Sequence, residues 1–292
     1  MTRSWRRALL AVALSVATGT AGLAVTTPAA AEPPSGPASG TFTLSGDPDD
    51  PVTRGESFSV TTATAALYGS LFDARVEVTD PATGTSFYLV LASGAGPLEP
   101  GTYTGATAWP YQEGTPGMVL NSSNGGCNGD LLGSFTIQSF RVGPYNYVEQ
   151  LDATFEQRCS GGDAAARGEV HLTNPPAPPL LNPQVTVAEA GTIAMPNGPV
   201  TVQGTLTCGQ AAWVSVDANV QQAGRVVWFE GVWVQCVPGE AVPWTATRAS
   251  LDGVRLRPGD ALVQLRVQGR DPFYDKSVEV VPPPFPVRLV TA

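Results

Sequence analysis

Leu151-Asp-Ala-Thr-Phe-Glu-Gln-Arg-Cys159 reads as a single β-strand with two unlike faces. Leu151, Ala153, Phe155, Gln157 and Cys159 share one face, and Asp152, Thr154, Glu156 and Arg158 share the other. Side chains alternate along a strand with a period of two, whereas a helix would repeat every 3.6 residues. The face that seeks the core also ends in a cysteine, so it carries the means to staple itself. Neighbouring stretches obey the same rule. Gly133-Ser-Phe-Thr-Ile137 turns Phe135 and Ile137 inward, and Gly168-Glu-Val-His-Leu172 turns Val170 and Leu172 inward. Further strands are expected at 41–45, 57–62, 74–79, 86–92, 102–109 and 118–122, separated by turn sequences such as Asp80-Pro-Ala-Thr-Gly84 and Gly143-Pro144. That density of short strands predicts a β-sandwich.

The second half repeats the pattern. Val202, Gly204, Leu206 and Cys208 share a face, as do Val214, Val216, Ala218 and Val220, and Val232, Val234 and Cys236. Leu262, Gln264, Arg266 and Gln268 alternate with Ala261, Val263, Leu265 and Val267. About seven strands in this half match an immunoglobulin-like domain, with a cysteine spacing too short for the usual bridge between the two sheets' central strands. Between the halves, Asn174-Pro-Pro-Ala-Pro-Pro-Leu-Leu-Asn-Pro183 is a stiff polyproline strap, expected to hold two modules apart. The chain thus divides into an export signal (1–31), a flexible leader (32–40), a first β-sandwich (41–173), the linker (174–183) and an immunoglobulin-like β-sandwich (184–292).

The signal is read from Arg3, Arg6 and Arg7, an uncharged apolar run over 8–25, and the small-residue cleavage pattern Ala29-Ala30-Ala31. Its removal leaves 261 residues, enough for two ordinary domains, and shifts the net charge from −9 to −12 because three arginines go with it. An acidic chain without a basic cluster argues against nucleic acid or an anionic membrane as partner. No second membrane span is expected in the mature chain. Four cysteines allow three connectivities; pairing Cys127 with Cys159 and Cys208 with Cys236 is the one that leaves two independent domains. The product is therefore expected to be secreted.

Two sets of residues carry a resemblance. Pro100-Gly-Thr-Tyr103, Gly126-Cys-Asn128, Gly133-Ser-Phe135, Phe155-Glu-Gln-Arg-Cys159, Gly161-Gly162 and Gly168-Glu-Val170 resemble, over about 41–173, a two-cysteine module of secreted actinobacterial proteins of unknown function. Val200-Thr-Val-Gln-Gly-Thr-Leu-Thr-Cys208, Val234-Gln-Cys236 and Pro243-Trp-Thr-Ala246 resemble a secreted actinobacterial immunoglobulin-like domain, also of unknown function. The resemblance implies fold and location, and no catalytic residue.

Candidate chemistry is sparse. His171 is the only histidine and sits on the polar face of its strand, so no catalytic residue is assigned to it. Asp152 and Glu156 lie on one strand about 13–14 Å apart, too far for glycoside hydrolysis, with Glu169 as a cross-strand alternative. Asp47, Asp49 and Asp50 form a compact acid cluster that could offer oxygens to calcium; otherwise no cofactor is expected. Aromatic residues are the better binding candidates. With Cys208 and Cys236 inward, parity places Trp213, Phe229 and Trp233 on the outer face, unless a bulge slips the register. Trp109-Pro-Tyr111 and Tyr145-Asn-Tyr147 are weaker choices. The expectation is a non-enzymatic binding or structural protein of the cell envelope or extracellular space, its partner an extracellular protein or a glycan. Glycan recognition through exposed tryptophans and, in another class, a secreted hydrolase are the alternatives.

Overall fold

The structure is a computed structural model that describes residues 37–61, 65–111, 114–127, 129–195, 198–249 and 256–292. The expected signal and most of the leader lie outside the described residues. The secondary structure of the described residues is nearly all β.

The first domain comprises β1 (Ser39–Gly46), β2 (Ser57–Thr61), β3 (Ala66–Ser70), β4 (Asp73–Thr79), β5 (Ser86–Ala92), β6 (Gly101–Ala108), β7 (Gly117–Ser122), β8 (Leu131–Val142), β9 (Val148–Cys159) and β10 (Ala165–Thr173). The strands run in the order β2-β1-β10-β9-β8-β6-β7-β5-β4-β3. This path folds over at β6–β7, which pair in parallel only through Thr107–Gly117 and Ala108–Met118. Its two halves enclose one core that includes Phe42, Leu89, Leu120, Phe135, Leu151 and Leu172. Residues 151–159 lie in β9, and their alternation holds: Leu151, Ala153, Phe155 and Gln157 are all buried.

The leader ends sooner than expected. Ala38 already bridges Ala65, and Ser39 and Gly40 open β1. Gly40 adopts a φ of 140°, and a Cβ there would lie 1.8 Å from the His171 carbonyl oxygen. Only glycine lets the two backbones approach so closely.

Gln157 is the one polar member of the inward face. Its Oε1 accepts from the Leu120 N–H (2.7 Å) and its Nε2 donates to the Leu120 carbonyl (2.8 Å). It thereby stands in for a missing neighbour strand on the open side of β7. The Cys127–Cys159 bridge ties the segment beyond β7 to the end of the same strand.

The second domain comprises β11 (Gln184–Val185), β12 (Ala190–Ile193), β13 (Val200–Thr207), β14 (Ala212–Gln222), β15 (Arg225–Trp228), β16 (Val232–Cys236), β17 (Val242–Arg248), β18 (Gly259–Asp271), β19 (Lys276–Val280) and β20 (Phe285–Thr291). One layer is β11 and β17 around β13; the other is β20-β18-β14 with β15 and β16 in turn on the far side of β14, and β19 continuing beside β18. β12 pairs antiparallel with β13 and parallel with β20, the split first strand of an immunoglobulin-like sandwich. The Cys208–Cys236 bridge joins the end of β13 to the end of β16, off the usual inter-sheet position, as the spacing implied. Trp244 fills the core and donates its Nε1–H to the Thr186 carbonyl at 3.2 Å.

Residues 174–183 run between β10 and β11, and they do not hold the domains apart. Tyr145 lies 5.2 Å from Tyr274 between ring centroids, and Tyr147 lies 5.6 Å from Phe273. Proline carbonyls have no N–H beside them to pair with a sheet, so they remain free to accept. The Tyr147 hydroxyl donates to Pro175 O and the Tyr274 hydroxyl to Pro178 O, each at 2.8 Å. Asn174 donates to the Leu67 and Val148 carbonyls on the first-domain side. On the other side, fully buried Asp271 accepts from Leu181 N–H at 2.9 Å. Burial raises the phenol pKa of both Tyr147 and Tyr274, consistent with a desolvated joint.

Candidate recognition surface

Strand β14 is the axis of the site. Its inner positions Val214, Val216, Ala218 and Val220 are buried in the core, which turns Trp213, Ser215, Asp217, Asn219 and Gln221 outward. Antiparallel pairing then sets the flanks. Trp233 of β16 sits opposite Ser215, and Trp228 of β15 sits opposite Asn219. On the other flank, β18 places Gln268 opposite Ser215, Arg266 opposite Asp217 and Gln264 opposite Asn219.

Three indoles therefore stand on one sheet face, with exposures of 59% for Trp213, 66% for Trp228 and 66% for Trp233. Between them lies a polar floor. Ser215 and Asn219 retain only 8% and 4% exposure although they point outward. Ser215 Oγ donates to Asp217 (3.3 Å) and Gln221 Nε2 donates to Asn219 Oδ1 (3.1 Å). Arg266 donates to Glu279 (2.7 Å), and Gln268 donates to the same carboxylate oxygen (2.8 Å). These two bonds, that from Arg266 first, hold the Glu279 carboxyl below the usual range.

The expectation of three outward aromatics at 213, 229 and 233 is corrected at one position. Phe229 is buried, with 7% exposure, and its N–H donates to the Ala218 carbonyl at 2.9 Å. Parity fails because β15 and β16 are not one strand. Phe229, Glu230 and Gly231 lie between them, and the register slips there. Gly231 passes so close that a Cβ would meet Asp217 Oδ1 at 2.4 Å. Trp228 takes the outward place instead, although parity counted from Cys236 turns it inward. The pairing of Val227 with Val220, both buried, is the signal that would have found it.

The acid cluster does not assemble into a site. Asp50 is buried and its Oδ2 accepts from the N–H and hydroxyl of Thr53, at 2.7 and 2.8 Å. Asp47 Oδ2 accepts from Ala165 N–H (2.9 Å), which holds its carboxyl below the usual range. Asp49 faces solvent. Turn chemistry thus occupies two of the three carboxylates, and among the described residues no group of three or more His, Cys, Asp or Glu could hold a metal.

In the first domain, Trp109 lies beneath the Arg75 guanidinium (4.7 Å), while Tyr145 and Tyr147 belong to the interdomain joint. His171 Nδ1 meets Asp152 at 3.1 Å and its Nε2 faces Glu169 at 3.8 Å. Glu156 and Glu169 line an open trough of about 550 Å³, where they are diagonal neighbours about 7–8 Å apart. Glu156 is bound between Arg158 and Arg167, and Glu169 is more than half exposed. Neither lies in the apolar pocket that makes a carboxyl a general acid. Among the described residues no helix is long and apolar enough to cross a membrane. No protein-family model and no curated protein matches the chain, and the chemistry of the tryptophan face itself is what bears on its use.

Proposed function

We propose that this chain is a secreted, non-enzymatic binding protein of the cell envelope or extracellular space, and that it binds polysaccharide on the tryptophan face of its second domain. The observation that carries this reading is the trio Trp213, Trp228 and Trp233, each more than half exposed on one disulfide-clipped sheet. Indoles left in water on a rigid face mark a partner surface. Sugar rings offer apolar C–H faces for stacking and hydroxyls at their edges. The indoles and the amide-rich floor supply both complements. The export signal read at 1–31 and the two bridges support an extracellular setting. A hydrolase is disfavoured by the open, arginine-bound environment of Glu156 and by the exposed setting of Glu169 and His171.

The test is retention on insoluble polysaccharides such as cellulose and chitin. The native protein is retained, and Trp213→Ala/Trp233→Ala weakens binding by about tenfold or more, as central aromatic anchors do. Equal retention of the double variant, at unchanged melting temperature, would contradict the proposal.

A further inference from the structure

The charge pattern of the face narrows the ligand. We infer that the face takes an uncharged, extended glycan chain lying along β14, an inference that rests on the glycan reading above.

Extension follows from register. Trp233 and Trp228 flank the same side of β14, opposite Ser215 and Asn219. Four strand residues separate those positions, about 13–14 Å. That stride exceeds one pyranose ring, so two flanking indoles stack on different sugars of one chain. Trp213 adds a third platform two residues before Ser215.

Neutrality follows from the polar groups between the indoles. An anionic glycan needs an unpaired cation, and bidentate arginine is the usual provider. The cation in the centre of this floor, Arg266, already donates to Glu279 and faces Asp217 in register. Uronate, sulfate or phosphate would thus meet repulsion. Gln264 and Gln268 are part-exposed side-chain amides. The Nε2 of Gln264 donates to the Pro282 and Leu265 carbonyls and that of Gln268 to Glu279; the second N–H of Gln268 and the carbonyl oxygen of each match hydroxyl or acetamido groups. An apolar protein surface laid on the same floor would strip water from Asp217, Arg266 and Gln268 without replacing its hydrogen bonds.

The test is calorimetry on the full secreted protein with defined oligosaccharides. The probes are neutral hexamers of glucose, xylose and N-acetylglucosamine, their disaccharides, an oligogalacturonate hexamer and a glucosamine hexamer. At least one neutral hexamer is expected to bind about tenfold or more tightly than its disaccharide. Its affinity should vary less than about twofold between 50 mM and 500 mM salt. Oligogalacturonate should bind at least about tenfold more weakly. Preference for either charged hexamer, or a steep salt dependence, overturns neutrality while leaving glycan recognition standing. Equal affinity for hexamer and disaccharide overturns the extended site. No binding by any probe, with self-association lost on Trp228→Ala, reassigns the face to a second copy of the chain and removes both readings.

Discussion

Gln157 shows how much one side chain decides. It belongs to the inward face of β9 by parity, yet it is polar and only 1% exposed. Its amide satisfies both backbone groups of Leu120, which β7 leaves open once its pairing with β6 stops at Met118. Buried polar groups stripped of partners cost roughly 1–3 kcal/mol each. Gln157→Leu should therefore destabilise the first domain by about 2–4 kcal/mol despite adding apolar bulk. Chemical denaturation of the whole protein checks this; a variant as stable as the native protein would mean water serves Leu120 instead. The sequence placed Gln157 on the correct face. It could not say that the far sheet would leave one strand half paired, because that depends on how β6 and β7 cross.

At the scale of elements, alternation was legible wherever a strand ran unbroken. β9, β13, β14 and β18 present the faces their sequences imply. Legibility failed at Glu230-Gly231, where parity was carried across a break and exchanged Phe229 for Trp228. The consequence is a sharp contrast between adjacent residues. Phe229→Ala should cost about 3–5 kcal/mol by opening a cavity in the second domain's core. Trp228→Ala should change stability by less than about 0.5 kcal/mol while weakening binding. Thermal melts of the two variants decide the assignment; the reverse order of stability would return Phe229 to the surface. The acid cluster failed for a related reason. Asp47 and Asp50 are close in sequence, but hydrogen bonds to Ala165 and Thr53 turn them to separate tasks.

For the whole molecule, the proline strap was visible and its role was not. Nothing in the sequence linked Tyr145-Asn-Tyr147 to Phe273-Tyr274, some 130 residues away. The turn that presents Tyr145 holds it at φ 52°, a conformation costly for a bulky residue and kept only where surroundings impose it. The joint should make the domains unfold together. Phe273→Ala/Tyr274→Ala should separate one calorimetric transition into two and raise the radius of gyration in solution scattering. Two transitions in the native protein would show that the joint does not couple them. The account turns on the tryptophan face being where the ligand sits. After residue 31 the chain carries five indole N–H groups, those of Trp109, Trp213, Trp228, Trp233 and Trp244. Their NMR resonances, followed during titration with a neutral hexasaccharide, report the contact directly. The account predicts shifts at Trp213, Trp228 and Trp233 with Trp109 and Trp244 unmoved. Shifts confined to Trp109 would place the ligand on the first domain and contradict it.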